Sequence, residues 1–120
     1  MIYGIGIDLI EINRIEKVFK RKGNRFLKKI LTDYEIELCP VNRKIEYIAG
    51  RFAAKEAVAK ALGTGLGKEL EWKDIEILNE NNGKPNVKIR NNVWDSKGFH
   101  THISISHTKS LAIAKVIIEH

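Results

Sequence analysis

One cysteine, two prolines and no long apolar run: this 120-residue chain is first described by what it has little of. A lone Cys39 cannot close an intrachain disulfide, so a disulfide-stapled secreted scaffold is excluded and a reducing compartment is expected. With two prolines and nine glycines among 43% hydrophobic and 30% charged residues, the composition is neither collagen-like, low-complexity nor disordered. Apolar runs such as Val116–Ile118 fall far short of a membrane span, and no membrane partner is expected. The opening residues Met1–Leu9 read as a strand, not as a basic region leading into the apolar segment of a signal peptide. A soluble, cytoplasmic chain is expected. Its length suits one modest core, and no linker or repeat divides it, so residues 1–120 form a single domain.

Acidic residues are also in deficit, 15 against 21 Lys and Arg, for a formal charge of +6. A basic small domain suggests nucleic acid, but the charge is not spread evenly. Between Arg14 and Lys29 stand eight basic residues and one acid, a net +7, so the remainder of the chain is close to neutral. One segment is basic, not the protein.

Tyr3, Ile5 and Ile7 alternate with Gly4, Gly6 and Asp8, the period of a strand. Two glycines on one face leave it bare, so a backbone or a ligand can approach closely there. Ile12, Ile15 and Phe19 recur at helical spacing up to Gly23, a plausible helix end. If that helix continued past Gly23, Arg14, Arg21 and Arg25 would share a face. Thr32 with Glu35 is a capping-box signature for a short helix closed by Pro40. The longest periodic segment, Arg43 to Leu62, is alanine-rich and stops at Gly63, a strong helix suited to close packing. Strands are expected at Asp74–Leu78, Val87–Arg90, His102–Ser106 and Leu111–Ile118, with a turn at Asn81–Pro85 and a short helix around Asn92–Lys97. The fold class is α+β: one long and several short helices packed on a mainly antiparallel sheet.

Glu56 and Lys60 lie one turn apart on the long helix, among the small or apolar Ile45, Ala49, Phe52 and Ala53. A charge bordering a packing face needs a partner or an ion. With Asp8 from the first strand, Glu56 would suit a hard cation such as Mg²⁺, whereas Asp8 alone is better explained as a charge near the next helix terminus. Arg51, Lys55, Lys60 and the Gly63–Gly67 loop form a second set that could meet phosphate. A helix cap followed by a turn explains those glycines as well. Lys84 in the NGKP turn is a turn residue first and a phosphate contact second. His100, His102 and His107 lack the companions of a zinc site. Ser104, Ser106 and His107 make a better ligand-binding wall than a nucleophilic triad, because adjacent strand residues face opposite ways.

Together, GIGIDLIEI, ILTDYEIE, AGRFAAKEAVAKALGTGLG, NGKP and HISISHT, in that order and over essentially the whole chain, resemble the holo-acyl-carrier-protein synthases, the short bacterial 4′-phosphopantetheinyl transferases. The resemblance implies that family's fold and its reaction. Coenzyme A gives its 4′-phosphopantetheine arm to a serine of apo-acyl carrier protein, releasing adenosine 3′,5′-bisphosphate in the service of fatty acid biosynthesis and lipid metabolism. By the same resemblance Asp8 and Glu56 hold Mg²⁺, and Lys60 sits at the diphosphate. Arg43 and Arg51 hold other parts of the nucleotide, one of them its 3′-phosphate. Gly63, Thr64, Gly65, Lys84, Pro85, Ser106, His107 and Thr108 line its pocket, and the protein is a homotrimer with active sites shared between subunits. The partner supplies the nucleophile, so no nucleophile of the chain's own is needed. The general base is a water held at the metal or the carboxylates, with Glu56 as the alternative. The basic segment, with Arg14, Arg21 and Arg25, then steers the acidic carrier. The competing reading is a non-enzymatic RNA-binding module using residues 14–29; the few aromatics there, Phe19 and Phe26, argue against it and against any nucleic-acid partner.

Overall fold

Alternating residues at the two ends of the chain build one sheet, and the alanine-rich helix lies across it. The computed structural model describes residues 1–94 and 98–120. Its elements are β1 (Ile2–Glu11), α1 (Ile12–Lys22), α2 (Asn24–Ile30), α3 (Asp33–Glu37), α4 (Lys44–Leu62), a 3-10 turn at Trp72–Asp74, β2 (Ile75–Asn79), β3 (Pro85–Ile89), β4 (His100–His107) and β5 (Leu111–Glu119). All pairings are antiparallel, in the order β1-β5-β4 for one sheet and β2-β3 for a second. The single sheet expected from the sequence is therefore two. The helix expected around Asn92–Lys97 is a turn at Asn92–Trp94, and residues 95–97 lie outside the described residues.

Register decides which face each residue takes. Gly6 pairs with Val116, Asp8 with Ala114 and Ile10 with Ala112, and the β5 members of these pairs are fully buried beneath α4. The glycines let the two backbones meet: a Cβ on Gly4 would stand 1.9 Å from the Ala61 carbonyl oxygen, and one on Gly6 would stand 1.8 Å from that of Ala57. The close approach expected at this face is that of α4. The alanines of α4 are buried in the chain's own core, so the close packing expected of this helix is made within the chain. The opposite face of β1 is bare: Ile5, Ile7 and Leu9 are 57%, 54% and 58% exposed.

Gly23, with φ 58° and ψ −135°, ends α1 and starts α2. The helix does not run on to Arg25, because this backbone conformation turns the chain. Arg14 and Arg21, seven apart on α1, keep a common side, while Arg25 belongs to α2.

Candidate active site

Asp8 sits inside β1, three residues before its end, and Glu11 precedes α1. The helix-terminus explanation for Asp8 therefore fails. Its carboxylate instead projects toward α4, in the row opened by Gly4 and Gly6. Lys60 Nζ donates to Asp8 Oδ1 at 3.0 Å and to the Ile7 carbonyl at 3.1 Å. Glu56 is one turn earlier on α4. Burial pushes the Glu56 carboxyl above its usual range, the Asp8 charge adds to this, and Lys60 opposes both. The three residues named from the sequence therefore converge, although Asp8 and Glu56 are 48 positions apart.

A divalent cation fits this donor set. Two carboxylates from separate elements offer hard oxygen ligands, and among the described residues no cluster of three His, Cys, Asp or Glu side chains forms a closed metal cage. Mg²⁺, which is commonly held by one or two carboxylates and completes its shell with phosphate oxygens and water, is a cation that such a pair could hold.

The Gly63–Gly65 loop follows Lys60 directly. Gly63 (φ 82°) caps α4, and the N–H groups of Gly63, Thr64 and Gly65 all point back to the Ala59 carbonyl. The helix-cap explanation accounts for them, because those donors are already engaged. Thr108 is likewise a turn residue, its hydroxyl accepting from the Ser110 and Leu111 N–H groups. His107 ends β4 in the row of Ala112 and Ile10, on the helix side. Ser106 pairs with Ile113, which pairs with Leu9, so it belongs to the outward face. Lys84 and Pro85 lie exposed and half-buried at the β2–β3 turn.

Arg43 and Arg51 do not join the carboxylates within one chain. Arg43 precedes α4 in a left-handed conformation (φ 63°), about 25 Å along the axis from Lys60 at 1.5 Å per residue. Arg51 is buried and turns to the other side of α4. There its guanidinium covers the Tyr47 ring at 4.5 Å and donates to Asn79 Oδ1 at 3.2 Å, while its Nε is buried with no partner among the described residues.

Lys55, grouped with the phosphate-facing cations on sequence grounds, is fully buried and cannot reach one. Its Nζ donates to Glu35 Oε1 at 2.6 Å, to the Ile30 carbonyl at 2.7 Å and to the Trp72 carbonyl at 3.1 Å. Glu35, also fully buried, accepts from the Thr32 and Ile77 N–H groups, each at 2.8 Å. Thr32 Oγ1 donates to Glu76 Oε2 at 2.7 Å, and Arg90 holds the other Glu76 oxygen at 2.9 Å. This network ties α2, α3, the 3-10 turn and β2 to the helix that carries Glu56. Thr32–Glu35 signalled its capping box; nothing local signalled the rest. Burial pulls the Lys55 ammonium below its ordinary range, with the Glu35 charge opposing. Lys55→Met is expected to cost about 3–5 kcal/mol in urea denaturation, because it strands a buried carboxylate. The double variant Lys55→Met/Glu35→Leu should recover much of that, and no recovery would refute the pairing.

The basic segment rims a groove of about 340 Å³. Arg21, Lys22, Arg25 and Lys29 stand over an apolar floor of Val18, Phe26, Ile30, Phe52 and Trp72. Arg14 lines a separate concavity with Leu9, Glu11, Asn13 and Ser110. Phe26 is buried at the groove floor and Phe19 packs against the core under Lys44, so neither aromatic of the basic segment is an exposed ring.

Two carboxylates and a lysine thus meet between β1 and α4. The chain belongs to the 4′-phosphopantetheinyl transferase superfamily, whose family description matches residues 4–116. Within that superfamily it is similar to the holo-[acyl-carrier-protein] synthases. That of Shouchella clausii is 52% identical over 99% of both chains. The crystal structure of the Bacillus anthracis synthase in complex with CoA (3′,5′-ADP) superposes with a TM-score of 0.86 at 46% identity, covering 99% of this chain and 97% of that one. The Helicobacter pylori synthase in complex with coenzyme A gives 0.87 at 41% identity, covering 96% and 99%.

Proposed function

We propose that this chain transfers 4′-phosphopantetheine from coenzyme A to a serine hydroxyl of apo-acyl carrier protein, releasing adenosine 3′,5′-bisphosphate. The observation that carries the reading is the convergence of Asp8, Glu56 and Lys60 in a chain of this family. Phosphoryl transfer asks the protein mainly for positioning and charge neutralisation. Asp8 and Glu56 would hold a Mg²⁺ ion, which when bound would neutralise charge on the diphosphate. Lys60 faces the same diphosphate and supports charge on the leaving phosphate. The serine oxygen forms the new P–O bond as the bond to the departing nucleotide breaks. A water held at the carboxylates takes the serine proton, with Glu56, its affinity for protons raised by burial, as the second candidate. Arg43 and Arg51 hold the nucleotide, and Gly63, Thr64, Gly65, Lys84, Pro85, Ser106, His107 and Thr108 border its pocket.

Incubation with coenzyme A, Mg²⁺ and apo-carrier should give the phosphopantetheinyl adduct by mass spectrometry. No adduct on any carrier of the source cell would sink the reading.

The working form is a homotrimer with sites between subunits. Three features support it: the exposed Ile5, Ile7 and Leu9, Ser106 on that same outward face, and Arg43 too far from Lys60 to serve one nucleotide within one chain. Light scattering should return three times the 13.7 kDa chain mass; a monomer at working concentration contradicts it. Arg14, Arg21 and Arg25 dock the acidic carrier, with the groove shared by Arg21 and Arg25 at the centre. Reversing Arg21 and Arg25 to glutamate is expected to raise KM for the carrier several-fold and leave KM for coenzyme A unchanged; equal changes in both would refute it. The setting is cytoplasmic fatty acid biosynthesis. Among the described residues no helix is long and apolar enough to cross a membrane.

A further inference from the structure

Asp8 must serve two cations. One is the divalent ion of the proposed transferase, and the other is already in place: Lys60 Nζ, 3.0 Å from Asp8 Oδ1 and anchored a second time by the Ile7 carbonyl at 3.1 Å. The second bond matters, because it fixes the ammonium over the carboxylate from the strand's own backbone rather than leaving a loose surface pair. Asp8 is only 16% exposed, so water screens this contact weakly on the carboxylate side. An ion entering between Asp8 and Glu56 would meet the ammonium as a like charge at close range. It would also find both carboxylates already facing one cation, Asp8 by direct contact and Glu56 through space. Mg²⁺ sheds its water reluctantly and needs that anionic charge.

We infer that Lys60 is a built-in counter-ion of the cation site, holding Asp8 and keeping divalent-ion affinity low until a diphosphate draws the lysine away. The diphosphate acts twice, offering Lys60 a better anion and giving the cation its missing ligands. Cation and coenzyme A therefore bind with positive coupling, and by reciprocity each tightens the other. The lysine side chain can make the move: it is 53% exposed and needs only to rotate away from a strand edge. The inference rests on the transferase reading above and adds to it the order in which the site is filled.

The test uses Mn²⁺ as a spin probe, with free Mn²⁺ measured by electron paramagnetic resonance during titration of the full chain, with and without coenzyme A. Wild type should bind Mn²⁺ weakly alone and more tightly with coenzyme A. Lys60→Met should bind Mn²⁺ alone more tightly than wild type, within the roughly 5–150-fold range of such couplings, and should gain less from coenzyme A. Lys60→Arg, which keeps the charge, should stay as weak as wild type. If Lys60→Met binds Mn²⁺ alone no tighter than wild type while wild type forms the carrier adduct, the counter-ion role is overturned and the transferase stands. If wild type forms no adduct and Asp8→Ala binds Mn²⁺ as wild type does, the transferase reading falls and the inference goes with it. Thermal melts of each variant establish that it is folded.

Discussion

Gly6→Val is expected to leave little folded protein. Any Cβ at this position meets Ala57 O at 1.8 Å, Ala57 C at 2.8 Å and Ala61 N at 2.9 Å, all of them backbone atoms of α4. Neither side can yield by rotating a side chain, so strand and helix must separate, and separation opens a gap along Ala53, Ala57 and Ala61, which now pack at full density. Overpacked cores commonly lose about 1–3 kcal/mol. A backbone clash at the centre of the sheet–helix contact belongs to the exceptional class above about 4 kcal/mol, a large part of the 5–15 kcal/mol typical of a domain. Urea denaturation followed by circular dichroism measures it. Gly67→Ala, where an added Cβ meets nothing within 4 Å, is the matched control and should stay within about 0.5 kcal/mol. A stable Gly6→Val would mean that β1 and α4 are not in contact as described.

Asp8→Asn should do the opposite, sparing the fold and removing the reaction. The substitution is isosteric, leaves an amide oxygen that can still accept from Lys60 Nζ, and removes only the carboxylate charge facing a lysine that is 53% exposed, so the fold should lose about 1 kcal/mol. It takes away one of only two carboxylates offered to the cation. Losing groups that merely orient a metal ligand costs about 10–100-fold; losing a ligand should lower adduct formation by more than a hundredfold. With one of the two causes of the raised Glu56 pKa removed, the acid limb of any residual activity should move to lower pH. A near-normal rate with Asp8→Asn would refute the assignment of the ligands.

The elements were legible wherever one period ran cleanly. β1, α4 and the two late strands lie within a few residues of their expected bounds because alternation and alanine content are local signals. The two bare glycines imply a close backbone approach, and the residues that make it, Ala57 and Ala61, lie 51 and 57 positions from Gly6 and Gly4, a separation no local signal can bridge. Gly23 marked a helix end but not the angle of the next helix, so Arg25 was expected on a face it does not join. Lys55 misled for another reason. A lysine one residue before Glu56 looks like part of the same site; helix geometry already sets neighbours about 100° apart, but only the tertiary structure shows what each meets, Glu56 near Asp8 of β1 and Lys55 against Glu35. Asp8 and Glu56 were paired through the family resemblance and the fit of carboxylates to a hard cation, not through any spacing.

The bare outer face of β1 has a consequence for how activity is measured. If Ile5, Ile7 and Leu9 are covered only by another copy, the complete site exists at a concentration set by mass action rather than in each chain by itself. Specific activity should then fall on dilution and return on concentration, with no change in the chain. Two preparations of identical purity assayed at different dilutions would disagree, and that disagreement would read out the strength of the subunit contact.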